Sequence, residues 1–365
     1  MVTLFRSRVN RGEKSNHRYY IAGTILVSLT IVLAACEKST TDLNMPQLEQ
    51  NPMVVPAGFP MPVVPSDNPI TPAKASLGRS LFYDKSLSSS GSVSCANCHS
   101  VSNGFSDTSA VSMGVRQEGS RNALPLINVA YDTTFFWDGR AHSLEAQAGM
   151  PIMNPLEMAN DSATVVNTLN QSPFYRSMFA SAFGDNSAVG NSITFTRVEQ
   201  ALATFERTFI SGNSAYDRFI AGDSSALNAS QLRGFALFKQ DSCASCHSGV
   251  NFSDNSYHST GLTPFYSDEG REDVSNSSQD NGKFRTPTLR NIALTAPYEH
   301  DGSMKTLLQV VDHYNNGGEH NSTQDPRIKD LNLTQSQEQD LISFLNSLTD
   351  YQFVNRSDFK NPGTK

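Results

Sequence analysis

Four of the five cysteines fall into two pentapeptides, Cys95-Ala96-Asn97-Cys98-His99 and Cys243-Ala244-Ser245-Cys246-His247. In Cys-x-x-Cys-His the two thiols can bond covalently to the vinyl groups of a heme, and the histidine that follows can bind its iron. The competing chemistry is one zinc ion held by two Cys-x-x-Cys knuckles. Zinc ribbons separate their knuckles by roughly 15–20 residues, whereas here the whole stretch from His99 to Ser242 intervenes. A histidine directly after both pairs is also superfluous to a zinc held by four thiolates. The reading is two covalently bound c-type hemes, with His99 and His247 as axial ligands.

What the irons do depends on their other axial positions. An electron carrier closes both faces of each iron, typically His/Met or His/His. A peroxidase leaves one face open beside an acid/base group. Between Val101 and Arg140 there is no histidine, and Met113 is the only methionine. Glu157 follows in Asn154-Pro155-Leu156-Glu157-Met158. On composition alone an isolated Glu is a solvated surface residue, and Trp137, the only tryptophan, is a large core residue.

The elements that must position these groups are mainly helical. Leu77-Gly78-Arg79-Ser80-Leu81-Phe82 precedes the first motif and Leu232-Arg233-Gly234-Phe235-Ala236-Leu237-Phe238 the second. Both carry apolar residues at helical spacing, a faint internal repeat. Val198, Leu202, Phe205 and Phe209 continue such a stripe in the middle of the chain. Near the C-terminus Thr334 and Gln337 form a capping box, ahead of an apolar face of Leu341, Phe344, Leu345 and Leu348 suited to packing against a heme edge. Long Gly/Ser/Asn-rich loops lie between, notably Ser248 to Gly282. The fold class is mainly α, two cytochrome c-like heme domains with long loops.

The N-terminus supplies an address. Arg6, Arg8, Arg11, Lys14 and Arg18 precede an apolar run from Ile21 to Ala35, which ends Leu33-Ala34-Ala35-Cys36. This is the pattern of a signal peptide, and the run is shorter than the roughly 20 residues of a membrane span. Its ending resembles a bacterial lipobox, which implies cleavage before Cys36, a lipid on that cysteine and a periplasmic or extracytoplasmic body anchored to a bacterial membrane. The expected division is a signal peptide (1–35), a Pro-rich tether (36–68), a first heme domain (69–225), a second heme domain (226–352) and a C-terminal tail (353–365). A net charge of −7 over 365 residues argues against nucleic acid as a partner.

The stretch from Leu77 to Met158 resembles the first heme domain of bacterial diheme cytochrome c peroxidases. The shared residues are Leu81-Phe82-Tyr83-Asp84, Leu87-Ser88, the first heme motif, Arg121-Asn122, Phe136-Trp137-Asp138-Gly139-Arg140 and Asn154-Pro155-Leu156-Glu157-Met158. The likeness continues through Arg285-Thr286-Pro287-Thr288-Leu289-Arg290-Asn291 and Leu294-Thr295-Ala296-Pro297-Tyr298-Glu299-His300-Asp301-Gly302-Ser303. It covers nearly all of the chain beyond the tether. The resemblance implies that Glu157 is the acid/base for hydrogen peroxide over the first heme, its carboxyl tuned upward by an apolar pocket. It implies that Trp137 lies between the hemes. It also implies a calcium ion bound by the Asn122 side chain and the Thr295 and Pro297 carbonyls, oxygen donors as calcium prefers, and it allows a homodimer.

Two departures from the peroxidases bear on function. Many carry a histidine in the loop after the first motif that blocks the first iron until the other heme is reduced. Here the loop reads Ser112-Met113-Gly114-Val115-Arg116-Gln117-Glu118-Gly119, so the first iron is expected to be open without reductive activation, with Met113 as the alternative ligand. Secondly, Tyr314 stands where the peroxidases place the second iron's axial methionine. A phenolate favours high oxidation states more than a thioether does, and tyrosine is a known heme ligand. Met304 and His313 are the alternative ligands.

Tyrosine here resembles the MauG group, including MauG-like enzymes of copper-peptide operons. These use peroxide to hold oxidising equivalents in a high-valent diheme state and oxidise residues, chiefly tryptophan, of a partner protein. The leading functional expectation is thus a MauG-like oxidoreductase. The alternatives are a cytochrome c peroxidase fed by a small redox protein and a non-catalytic electron-transfer lipoprotein. Glu299, where relatives carry a bulky apolar residue, has no account from sequence. His142, His258 and His320 are read as surface or core histidines.

Overall fold

The computed structural model describes residues 52–184 and 193–363. The expected signal peptide, Cys36 and the first part of the expected tether lie outside the described residues. Among those described, eight helices of two turns or more carry the fold: α1 (Pro72–Phe82), α2 (Leu144–Met153), α3 (Ser162–Gln171), α4 (Pro173–Phe183), α5 (Phe195–Glu206), α6 (Ala229–Gln240), α7 (Leu307–Asn315) and α8 (Gln335–Asn346). Among the described residues the only sheet is a two-residue antiparallel pair, β1 (Tyr257–His258) and β2 (Phe284–Arg285), in the register Tyr257 to Arg285. The protein is mainly α, as expected, and none of its described helices is long and apolar enough to cross a membrane.

Local chemistry explains where the helices begin. The Thr71 hydroxyl accepts from the Lys74 N–H and Pro72 opens α1, where its missing N–H costs nothing. Asn228 and Gln231 box the start of α6, and the Thr334 N–H donates to Gln337 Oε1 at 2.9 Å at the start of α8.

The repeat seen in sequence is a packing repeat. α1 crosses α5 and α6 crosses α8, the two largest helix interfaces. At each crossing a glycine lets the backbones meet. A β-carbon on Gly78 would run into the Ala201 carbonyl, and one on Gly234 into the Asp340 carbonyl. The repeat extends further than the sequence suggested. Asn128 and Asn291 both take left-handed backbone and bind the chain just beyond α5 and α8, respectively. Phe136-Trp137-Asp138-Gly139 corresponds to Glu299-His300-Asp301-Gly302, each opening and closing on positive φ and flanked by one antiparallel bridge, Phe135 with Ala141 and Tyr298 with Met304.

Each half has an apolar core. Phe238, Phe252, Leu289, Leu341, Phe344 and Leu348 belong to one buried cluster, so the apolar face of α8 is buried as anticipated. In the first half Phe82, Phe105, Phe205 and Phe209 form a contiguous aromatic stack.

The chain ends differ from the expected tether and tail. Residues 52–68 lie on the body. Asn68 is 1% exposed; its Nδ2 donates to Glu145 Oε1 at 2.7 Å and it accepts from Lys74 Nζ at 3.0 Å. Phe59 packs edge-on against Tyr131 with the Arg290 guanidinium 4.6 Å from its ring. Proline predicts an extended backbone, but extension does not decide whether the strand is solvated or laid along a surface. At the other end Phe353 and Phe359 are buried against Phe105 of the first half.

Candidate active site

Each heme motif opens onto its own cavity. Cys95, Cys98 and His99 line the first; Cys243, Cys246 and His247 line the second. The cysteine pairs are therefore not assembled into one four-thiolate site. Among the described residues, the one His/Cys/Asp/Glu group close enough to share a metal ion is Cys246, Asp254 and His258, and it uses a heme-motif sulfur.

Both motif histidines are prepared as ligands in the same way. His99 Nδ1 lies 2.8 Å from the Phe105 carbonyl and His247 Nδ1 lies 3.0 Å from the Phe252 carbonyl. An Nδ1–H donated to a carbonyl fixes the tautomer and presents Nε2 to an iron. Burial lowers both imidazole pKa values, with the carbonyl bonds acting against it. Both shifts favour the neutral ring that iron binding needs. Paired thiols and a tautomer-locked histidine at one cavity wall fit a c-type heme in both halves.

The first cavity is lined by Glu157, Trp137, Arg140 and Ser112. Asn154 Nδ2 donates to Glu157 Oε1 at 2.7 Å. Burial raises the Glu157 carboxyl pKa, opposed by that bond and by Arg140, the direction that the resemblance implied. His99 is the only histidine lining this cavity. The loop after the motif is pinned over the Glu157 segment: the Val115 N–H donates to the Glu157 carbonyl at 2.7 Å, and a β-carbon on Gly114 would strike the Leu156 carbonyl. Met113 is 58% exposed and does not line the cavity.

The second cavity brings Tyr314 and Glu299 together with His247. Tyr314 sits one helical turn after Val310 on α7, and both line the cavity, the i, i+4 relation of one helix face. Met304 and His313 do not line it; His313 Nε2 is 2.9 Å from the Thr260 carbonyl. Burial, then Glu299, pushes the Tyr314 phenol well above its usual pKa, and a cation at the oxygen would oppose both. Burial pushes Glu299 up to about 7, with Asp301 adding to it. Glu299 is thus a cavity residue, the counterpart of Phe136 in the first half.

The two cavities share Asn122, Pro125, Trp137 and Arg285 in their walls. Trp137 is 8% exposed and its Nε1 donates to the Asn122 carbonyl at 2.8 Å, so the indole is fixed in the partition. Asn122, Thr295 and Pro297 all line the second cavity. Both Nδ2 hydrogens of Asn122 are used, on the Ser109 and Ala110 carbonyls at 3.1 Å, which leaves Oδ1 as the oxygen available to a cation.

Several residues were missed from sequence. Gln147 Oε1 and Glu206 Oε2 are buried without a hydrogen-bond partner, and both residues line the first cavity. Gln147 and Pro151 are one helical turn apart on α2, a spacing that could have pointed to them. Arg285 in the partition lies within the Arg285–Asn291 likeness but had been given no role, and the carbonyls of Phe105 and Phe252 left no signal in the chain. His142 and His320 are exposed, whereas His258 lines the second cavity between Asp254 and Asp325, at 3.0 and 2.9 Å.

Comparison with known proteins agrees with this geometry. The di-haem cytochrome c peroxidase family model matches residues 72–225, and the cytochrome c model matches residues 231–349. The methylamine utilization protein MauG of Methylorubrum extorquens is 43% identical over 289 residues, 78% of this chain and 80% of that protein. The cytochrome c551 peroxidase of Nitrosomonas europaea is 37% identical over 75% of this chain and 84% of that protein. Among solved structures, a MauG-like protein associated with microbial copper homeostasis superposes with a TM-score of 0.80 at 33% identity, covering 84% of this chain and 98% of that one. The chain belongs to the di-haem cytochrome c peroxidase and MauG family, and is a peroxidase-type oxidoreductase carrying two c-type hemes.

Proposed function

We propose that this protein is a MauG-like enzyme that uses hydrogen peroxide at the first heme site to oxidise residues, chiefly tryptophan, of a partner protein. The observation that carries this reading is Tyr314, in the second cavity with His247 where the peroxidases have methionine. Each heme, held by Cys95, Cys98 and His99 or by Cys243, Cys246 and His247, supplies an iron able to take up and release oxidising equivalents.

The chain's own residues do the rest. Glu157 as carboxylate takes a proton from one oxygen of peroxide and returns it to the other, so that water is the leaving group. With Met113 outside the first cavity and His99 its only histidine, no side-chain ligand stands in the way of peroxide and no prior reduction is needed. Trp137, in the wall common to both cavities, is the route for electrons between them. Tyr314 would offer the second heme a hard anionic oxygen, which would lower the potential at that site and disfavour the role of simple electron acceptor. The copper-homeostasis protein of similar structure points to secreted proteins of copper handling as the first partners to try.

We further place the protein outside the cytoplasm on a lipid at Cys36, with a calcium ion at Asn122, Thr295 and Pro297. Lipid labelling should disappear in Cys36→Ala, and chelation should alter the spectra of the hemes if calcium holds the partition.

Replacing Tyr314 with Met tests the central assignment. The variant should show methionine ligation and a raised potential at the second heme, and an unchanged spectrum would remove Tyr314 as ligand. Peroxide added to the diferric protein should give a long-lived near-infrared band and, with the partner present, oxidised tryptophan by mass spectrometry. Turnover with a reduced small cytochrome and no such band would favour the cytochrome c peroxidase reading, which the Nitrosomonas relative represents.

A further inference from the structure

The carbonyl that orients His99 belongs to a strained residue. Phe105 has φ of 59°, a conformation that a bulky side chain adopts only when its surroundings force it. Those surroundings are aromatic. Phe105 is fully buried and stacks on Phe209 with ring centroids 3.8 Å apart and planes at 14°. Its other contacts include Phe353 at 5.9 Å and Phe359 at 5.7 Å, and these two come from beyond the second heme motif.

That end of the chain is tied down. Arg79 on α1 donates from Nε to the Lys360 carbonyl at 2.7 Å and from Nη2 to the Ser357 carbonyl at 3.0 Å. The Tyr83 hydroxyl donates to the Phe359 carbonyl at 2.6 Å. At the start of the segment, Asp350 accepts from the Asn213 N–H at 2.9 Å and donates its own N–H to Asn291 Oδ1 at 2.7 Å.

The second heme site is built otherwise. Phe252, also at positive φ, is packed by Tyr216 and Phe238, both ahead of its own motif, with the Arg290 guanidinium 5.5 Å from its ring. Phe353 and Phe359 pack on the ring of Phe105, whereas Phe252 sits in the cluster formed with α8.

We infer that residues 350–359 are a positioning element for the first heme's axial histidine: through Phe353 and Phe359 they hold Phe105 in its strained conformation, and so aim its carbonyl at His99 Nδ1. This goes beyond the proposed function and rests only on His99 as the iron ligand, not on Tyr314 or on any protein substrate.

The test uses the mature diheme protein without peroxide, so its outcome is separate from that of the proposed oxidation chemistry. Loss of the Nδ1–H···O bond makes the imidazole a weaker donor, so the potential of its iron rises. Phe359→Ala should raise the midpoint potential of the first heme and shift its ferric EPR signal, leave the second heme's values unchanged, and be rescued by Phe359→Leu. First-heme values equal to wild type, or a parallel shift of both hemes that Phe359→Leu does not reverse, would overturn the inference. Should Phe359→Ala fail to mature, Tyr83→Phe removes only the hydroxyl that holds the Phe359 carbonyl. It should give the same upward shift at the first heme alone, and the absence of any shift would equally overturn the inference.

Discussion

Substituting Glu157 with Gln isolates proton transfer from shape. The side chain keeps its length, and Gln Oε1 can still accept the Asn154 Nδ2–H bond that Glu157 makes at 2.7 Å. The pocket should therefore survive and only the acid/base function be lost. General acid/base catalysis contributes about 10²- to 10⁴-fold. At 1.36 kcal/mol per decade that is about 3 to 5 kcal/mol of barrier. The expected outcome is a fall of that size in the second-order rate constant with peroxide, measured by stopped-flow at the Soret band of the diferric protein. The pH profile gives the second signature. Burial raises the carboxyl pKa, and the carboxylate is the form that accepts the peroxide proton. The wild-type rate should therefore fall as pH drops through that raised value, and Glu157→Gln should be flat across the same range. A Gln variant within threefold of wild type, with the pH limb intact, would refute the role of Glu157.

Other consequences concern stability. Gly78→Ala places a β-carbon against the Ala201 carbonyl; overpacking of about 1–3 kcal/mol should outweigh the roughly 1 kcal/mol of helix propensity gained, lowering the denaturation midpoint. Arg290, 1% exposed, forms a two-pronged pair with Asp217 at 3.0 Å. Arg290→Met should lower stability by removing the charge partner of the part-buried Asp217. The loss should be smaller than the about 3–5 kcal/mol of a fully buried pair, because Asp217 keeps its bonds from Ser214, and Asp217→Asn in the same chain should recover part of it. Glu299 binds its proton more tightly in the folded state, with its pKa raised to about 7. Its contribution is therefore present at low pH and lost as pH rises through about 7. Glu299→Gln should narrow the difference in thermal midpoint between pH 5 and pH 9; an unchanged difference would mean the carboxyl is solvated.

How much was legible follows from how local each signal is. The paired thiols and their histidines need only a pentapeptide, so the heme motifs, the opening helices and the box at Thr334 could be read directly. Glu157 and Tyr314 were reachable only through resemblance, because neither residue type is unusual by itself. Glu299 was an oddity until its equivalence with Phe136 placed it in a cavity wall. The ends were misjudged because composition reports backbone stiffness and polarity, not what surface lies alongside: residues 52–68 and Phe359 are held by partners more than a hundred residues away, such as Gln200 and Tyr83.

By itself, then, the sequence determined that the chain carries two c-type hemes in helical surroundings, since covalent attachment and helix initiation are written in contiguous residues. Tertiary structure alone decided how the two sites differ in their surroundings. It set Trp137 in a common wall and Tyr314 inside the second cavity, as the resemblance had implied, left Met113 outside the first cavity, and packed Phe359 against Phe105, whose carbonyl meets His99. Those relations arise from burial and from backbone carbonyls aimed across long sequence separations. No residue type or local spacing encodes them.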